Sequence, residues 1–425
     1  MALHSMDGVT EKYLRILKEE LCPAMGCTEP IAVAYAGAIA RKTLGCLPRR
    51  VTVKASGSII KNVKSVIVPN TGGMRGIPAA VAAGIVAGDA AAELQVLAQV
   101  TPEQISATQR FMEDTEICVE HVDNGFVFDL TVVLEAETSR VTVRIVNFHT
   151  NVVLVEKDGK ILWQREFEAA ETAASDHSVL NLPAIWEFAN TVALERIRPV
   201  LSRQIQMNMA IAEEGLRGNY GANIGKVLLM SGDDVRTRAR AMAAAGSDAR
   251  MNGCELPVVI NSGSGNQGLT ASVPLVVYAQ TLHSSEETLY RALALSNLTA
   301  IYQKAGIGRL SAYCGAVSAG VGVGAGIAYL HGADYPVVEQ TVINAVAILS
   351  GMICDGAKSS CAAKISEAVD AGVLGYQMAR QGQRFEGGDG IVKDTVDETI
   401  QSVGRLAKDG MRQTNEEIIQ IMIGE

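Results

Sequence analysis

Aromatic side chains are scarce in this chain: Phe, Tyr and Trp together make up 4% of 425 residues, although 48% are hydrophobic. The core must therefore be filled by Ala, Val, Ile and Leu, and 41 glycines point to helices whose backbones approach closely. A basic excess is missing too. The formal charge of -9 speaks against a nucleic-acid surface, which needs clustered cations to displace counterions from phosphates. Long apolar runs are absent, since residues 316–330 and 337–353 fall short of the roughly 20 that span a bilayer. They read as buried helices. The first ten residues carry His4 and Asp7 where a secretory leader would have a basic stretch and an apolar core. Eight cysteines are too sparse here for a disulfide framework and fit reduced thiols. The expectation is an acidic cytoplasmic protein with neither a nucleic-acid nor a membrane partner.

What is present is a change of period along the chain. Val9, Tyr13, Ile16, Leu17 and Leu21 stand at helical spacing, and an Ala-rich helix follows over 31–44. From Val51 the period becomes two: 51–55 and 63–68 read as strands, 78–88 and 101–112 as helix. Residues 126–136, 140–149, 152–157 and 161–167 read as four strands of an antiparallel sheet, parted by turns such as Asp158-Gly159. Beyond Glu168 the strand signal fades into a series of helices. This predicts an α+β fold: a mainly helical catalytic domain, split over 1–50 and 168–425, with an inserted α/β domain over 51–167 that contains an antiparallel sheet.

Four cysteines lie in Gly-, Ala- or Ser-rich surroundings. Cys27, in Gly26-Cys27-Thr28-Glu29-Pro30, precedes a helix with Thr28 as N-cap and Pro30 in the first turn. The positive helix end raises its thiolate fraction, which suits a base or nucleophile; the plain alternative is a small packed hydrophobe. Cys354 and Cys361 fit neither zinc-finger spacing nor the ferredoxin run, and Cys314 precedes the small-residue helix at 315–330. Cys314, Cys354 and Cys361 together suffice for a cubane cluster with one iron left open as a Lewis acid. With Cys27 they equally satisfy a structural zinc ion.

Gly263, Gly265 and Gly268 spell G-x-G-x-x-G between a strand-like stretch and a helix. A dinucleotide site would need a second strand ending in an acidic residue roughly 20 positions on, whereas Glu286 and Glu287 open a helix. Such a turn can instead aim backbone N–H groups at a carboxylate, as on an amino acid. Ser262, Gly263, Ser264, Gly265, Asn266 and Gln267 are the substrate-binding candidates. Arg309 and Arg250 are open to pairing with a carboxylate or to a structural ion pair.

These segments, together with Ser247-Asp248-Ala249-Arg250-Met251, Arg309-Leu310-Ser311 and the stretches around Cys354 and Cys361, resemble the L-cysteine desulfidase family. That family is related to the α chain of iron-sulfur-dependent L-serine dehydratases, and the resemblance covers residues 13–423. It implies Cys314, Cys354 and Cys361 as ligands of a 4Fe-4S cluster, Cys27 as catalytic base, and Glu29 and Arg309 beside the glycine turn at the substrate. The implied reaction is β-elimination of L-cysteine to pyruvate, ammonia and sulfide without pyridoxal phosphate, in a homo-oligomer. L-Serine dehydration by the same route, or a non-catalytic cluster- or zinc-binding thiol sensor, are the alternatives. Cys22, Cys46, Cys118 and Cys254 match no ligand position, and His149 is held as site lining only.

Overall fold

The computed structural model describes residues 2–26, 28–166, 176–308 and 311–424, with backbone alone at 2–7 and 25. The chain opens with α1 (Ala2–Glu20), the short strand β1 (Pro23–Met25) and α2 (Thr28–Leu44). Of the expected stripe Tyr13, Ile16, Leu17 and Leu21 are fully buried while Val9, near the start of α1, is exposed, and the Tyr13 ring packs 5.4 Å from that of Phe188.

A six-stranded sheet follows: β2 (Arg50–Ser56), β3 (Glu116–Val122), β4 (Asp129–Glu135), β5 (Arg140–Val146), β6 (Val152–Lys157) and β7 (Lys160–Gln164), in the order β3-β2-β4-β5-β6-β7. The alternation that announced these strands sorts their side chains by face. In β5, Val141, Val143 and Ile145 are buried while Thr142 and Arg144 are half-buried. The helices α3 (Gly57–Val63), α4 (Gly76–Ala87) and α5 (Pro102–Asp114) intervene between β2 and β3. That crossover makes this one pair parallel; all other pairs are antiparallel.

Two expectations need correction. The sheet is mixed, because β3 went unseen: it is a charged edge strand carrying Glu116, Glu120 and His121, and a polar edge lacks the apolar signal of an inner strand. Residues 63–68 are not a strand. Gly57–Val63 is a helix of barely two turns buried on every side, its polar Ser58, Lys61 and Asn62 included, so it is too short to show its period.

The helical part comprises α6 (Leu182–Thr191), α7 (Leu194–Arg217), α8 (Ile224–Leu229), α9 (Val235–Met251), strand β8 (Pro257–Val259), α10 (Gly265–Thr281), α11 (Glu286–Ile307), α12 (Gly315–Leu330), α13 (Tyr335–Ile348), α14 (Cys361–Arg380), α15 (Val396–Arg405) and α16 (Arg412–Ile423). β8 pairs with β1 in a second, two-stranded antiparallel sheet. The mainly helical α+β class is the one the sequence pattern predicts.

Small residues set the helix spacing. A Cβ on Gly320 would lie 2.2 Å from the Ala368 carbonyl oxygen, and one on Gly324 2.7 Å from that of Gly372. Both contacts share one sequence offset, so α12 and α14 run parallel and their N-termini lie together. Cys314 caps one and Cys361 opens the other. The apolar residues of α2, grouped by the sequence reading with the helical part, are buried instead with α4 and the six-stranded sheet in one of two large cores. The helices α6, α7 and α9 to α15, together with α1, form the other, while Ile423 of α16 packs against the sheet-side core. Among the described residues no helix is long and apolar enough to cross a membrane.

Candidate active site

Three backbone devices converge on one small cavity of about 130 Å³. The first gathers the cysteines. The segments ahead of α12 and α14 are joined at an antiparallel bridge between Tyr313 and Ile353. Cys314 N–H donates to the Met352 carbonyl at 3.0 Å and Cys354 N–H to that of Ala312 at 2.6 Å. This sets Cys314 beside Cys354. The Cys314 thiol donates to the Cys354 sulfur, which holds Cys354 well below the usual thiol range against the cost of burial, helped by the Lys61 and Lys304 ammoniums. Cys314, as the donor in a buried site, is pushed up.

Burial also raises Cys361, whose thiol faces the Gly356 carbonyl at 3.6 Å. Between the two cysteines Gly356 takes φ +95°, and a Cβ there would lie 2.0 Å from the Lys61 carbonyl oxygen, so only glycine fits. Burial would raise Asp355, but hydrogen bonds from Lys358 and Lys364 outweigh it and hold its carboxyl at about 2.

The second device is the glycine turn. After β8, Asn261 and Ser264 exchange backbone hydrogen bonds of 3.1 and 3.0 Å, with Ser262 at φ 49° and Gly263 at φ 79° between them. The Ser264 hydroxyl then caps α10 by accepting from Gln267 N–H at 3.4 Å. A buried polar frame holds the turn from behind: Asn261 Nδ2 donates to Asn297 Oδ1 at 3.0 Å, and Asn297 and Gln204 exchange two side-chain hydrogen bonds. Ser262, Gly263, Ser264, Asn266 and Gln267 line the cavity. Gly265 does not. It makes room for Arg250, whose Nε would lie 2.3 Å from a Cβ placed there. The buried Arg250 donates to Asn266 Oδ1 at 3.2 Å and to the Gly26 carbonyl at 2.9 Å, tying the glycine turn to the chain beside Cys27.

The third wall comes from the sheet side. Glu29, in the first turn of α2, is buried and accepts hydrogen bonds from Asn62 Nδ2 at 3.2 Å and from Thr28 Oγ1 at 3.1 Å. His149 also lines the cavity, its ring edge-on to Phe128. Cys27 and Arg309 lie outside the described residues.

Sequence reasoning missed Lys61, Asn62 and Lys304, which line the same cavity. Lys61 and Lys304 are 1% and 4% exposed. The available signal was the helical spacing of Ser58, Lys61 and Asn62, which puts three polar side chains on one face of an otherwise apolar segment. Of the remaining cysteines, Cys254 packs in the helical core, and none of Cys22, Cys46, Cys118 or Cys254 lines the cavity.

The donor set suits a soft metal centre, since three partly buried thiols line one space. Among the described residues no three His, Cys, Asp or Glu side chains close around a single-ion position. A cubane sets separate irons before separate thiolates and asks for no such convergence.

Comparison with known proteins gives the family. The chain is similar to the UPF0597 protein of Desulfitobacterium hafniense, 52% identical over 100% of this chain and 99% of the relative. The UPF0597 proteins of Lachnoclostridium phytofermentans and Finegoldia magna are 50% and 48% identical, each over 97% of this chain and 99% of its own length. The family model for the serine dehydratase alpha chain matches residues 91–420, which take in the glycine turn, Cys314, Cys354 and Cys361 but not Glu29 or Lys61. The chain belongs to the serine dehydratase alpha-chain family, a lyase family related to iron-sulfur enzymes.

Proposed function

We propose that this protein is an iron-sulfur-dependent lyase that eliminates the β-thiol of L-cysteine, giving pyruvate, ammonia and sulfide. The observation that carries the reading is the shared cavity: three partly buried thiols on one wall and the capped glycine turn on another. When bound, a 4Fe-4S cluster on Cys314, Cys354 and Cys361 would supply a Lewis-acidic iron for the leaving group.

The rest is work for the chain itself. Backbone and hydroxyl donors from Ser262 to Gln267, with Arg309 as a further pairing group, take the substrate carboxylate. Glu29 offers an oxygen to the ammonium, its orientation fixed by Asn62 and Thr28. Cys27, ahead of the N-terminus of α2, removes the Cα proton as a thiolate. The Cα–H electron pair forms the Cα–Cβ double bond as the β-substituent leaves; the aminoacrylate released then takes up water and loses ammonia to become pyruvate.

L-Serine is the second reading, favoured by the family to which the chain belongs. The same steps expel its β-hydroxyl as water. The deciding experiment is anaerobic reconstitution followed by side-by-side assays of pyruvate from L-cysteine and L-serine, with sulfide measured in the former. Faster turnover of cysteine is expected. Faster turnover of serine transfers the assignment to serine dehydration, and cysteine binding with no product from either amino acid replaces the lyase reading with a thiol sensor.

A further inference from the structure

A buried ammonium is costly unless an opposite charge faces it. Lys61 is 1% exposed and its Nζ donates to the Ser311 carbonyl at 3.2 Å and to Asn415 Oδ1 at 2.7 Å, both of them neutral. The acidic groups that face it are Asp355, Cys354 and Cys314. Asp355 is already taken by Lys358 and Lys364. What remains for Lys61 is the pair of cysteine sulfurs, on the wall of the cavity it shares with them.

The partner that holds the ammonium comes from the far end of the chain. Asn415 lies in α16, which follows a π-helical turn over Leu406–Gly410, a local form that recurs at functional sites. Ile419, one turn on from Asn415, is seated so closely on α3 that a Cβ at Gly57 would lie 2.4 Å from its Cδ1. Gly57 stands one turn before Lys61. The tight contact and the hydrogen bond therefore act on the same face of α3.

We propose that Lys61 is the counter-charge of the cysteine site and that Asn415 fixes its ammonium there, so that the C-terminal helix is part of the cluster site. Lys61 is a positioning residue in this role. The inference rests on Cys314, Cys354 and Cys361 being cluster ligands, as set out under the proposed function. A buried cation beside a cluster stabilises its reduced, more negative form, so losing that charge moves the reduction potential downward.

The test is redox titration of the anaerobically reconstituted full chain and its variants, with iron measured per chain. Lys61→Met, which removes the charge, and Asn415→Asp, which cancels it, are both expected to shift the potential to more negative values. Asn415→Leu, which keeps the charge, is expected to shift it less than either. Unshifted potentials in both Lys61→Met and Asn415→Asp overturn the inference, and if Lys61→Met does not fold, Asn415→Asp alone decides. A shift in Lys61→Met without one in Asn415→Asp overturns the part given to the C-terminal helix. An unmodified chain that takes up no iron overturns this inference together with the proposed function, whereas a loaded chain with unshifted variants overturns this inference alone.

Discussion

Asp248 shows what burial does to a single carboxyl group. It is 1% exposed; Oδ2 accepts from the Gly225 N–H at 3.0 Å, while Oδ1 has no hydrogen-bond partner among the described residues. Burial raises its pKa from 3.8 to about 6 against the pull of the amides that open α8. The folded state thus holds the proton more tightly than the unfolded chain. The stability this contributes is full below about 3.8 and is lost as pH rises through about 6. Asp248→Asn cannot ionise, so its stability relative to the parent should improve by about 2 kcal/mol between about pH 4.5 and about pH 7.5. Urea unfolding at the two pH values checks this, and a constant difference would mean that Asp248 is already ionised in acid.

The cysteines separate by role in the same way. Cys27→Ser keeps all three proposed ligands and replaces the thiolate with a far weaker base, so it should retain iron and lose most turnover, on the order of 100-fold or more. Cys354→Ser and Cys361→Ser should lose iron and activity together. Iron loss in Cys27→Ser equal to theirs would make Cys27 a ligand and end its assignment as base. Cys314, Cys354 and Cys361 were singled out by the stretches that resemble a known family, and the fold brings them to one cavity. Lys61 was not, because its environment depends on Ser311 and Asn415, hundreds of positions away. No local pattern records such contacts.

At the scale of elements, the glycine turn between β8 and α10 separates two uses of glycine. Gly268 lies where a Cβ would meet the Val259 carbonyl oxygen at 2.0 Å, so helix and strand would have to part. Gly263 has open space around it and needs only its left-handed φ of 79°. Gly268→Ala should cost about 3 kcal/mol or more by overpacking, and Gly263→Ala about 1 kcal/mol from backbone conformation. Equal losses in chemical denaturation would refute the packing argument. The same contrast explains which elements could be read. β5 alternates clearly, β4 is apolar on both faces and β6 is rich in Val, all within the strand signature, and the long helices carry enough turns to show their period. α3 shows neither signal, being short and buried all round, and β3 is too polar.

The whole molecule places the cavity between its two large cores. Glu29, Lys61, Asn62 and His149 reach it from the side of the sheet and α2, and the glycine turn and cysteines from the helical body. Contacts across that line include Arg250 to the Gly26 carbonyl, Lys61 to the Ser311 carbonyl and the close approach of Gly356 to Lys61, together with a small apolar cluster of Val66, Met251, Ala357 and Cys361. A group bound there is held by both sides and by neither alone. Whatever binds only the folded state stabilises it by mass action, and a ligand whose site spans two cores couples their unfolding. Anaerobic loading with iron and sulfide should therefore raise the melting temperature by several degrees, in one transition that includes both the sheet and the helices. Calorimetry of loaded and iron-free protein makes the comparison. If loading moved one of two separate transitions and left the other in place, the cavity would belong to a single core, and the sheet-side residues Glu29, Lys61 and Asn62 would have no part in holding what binds there.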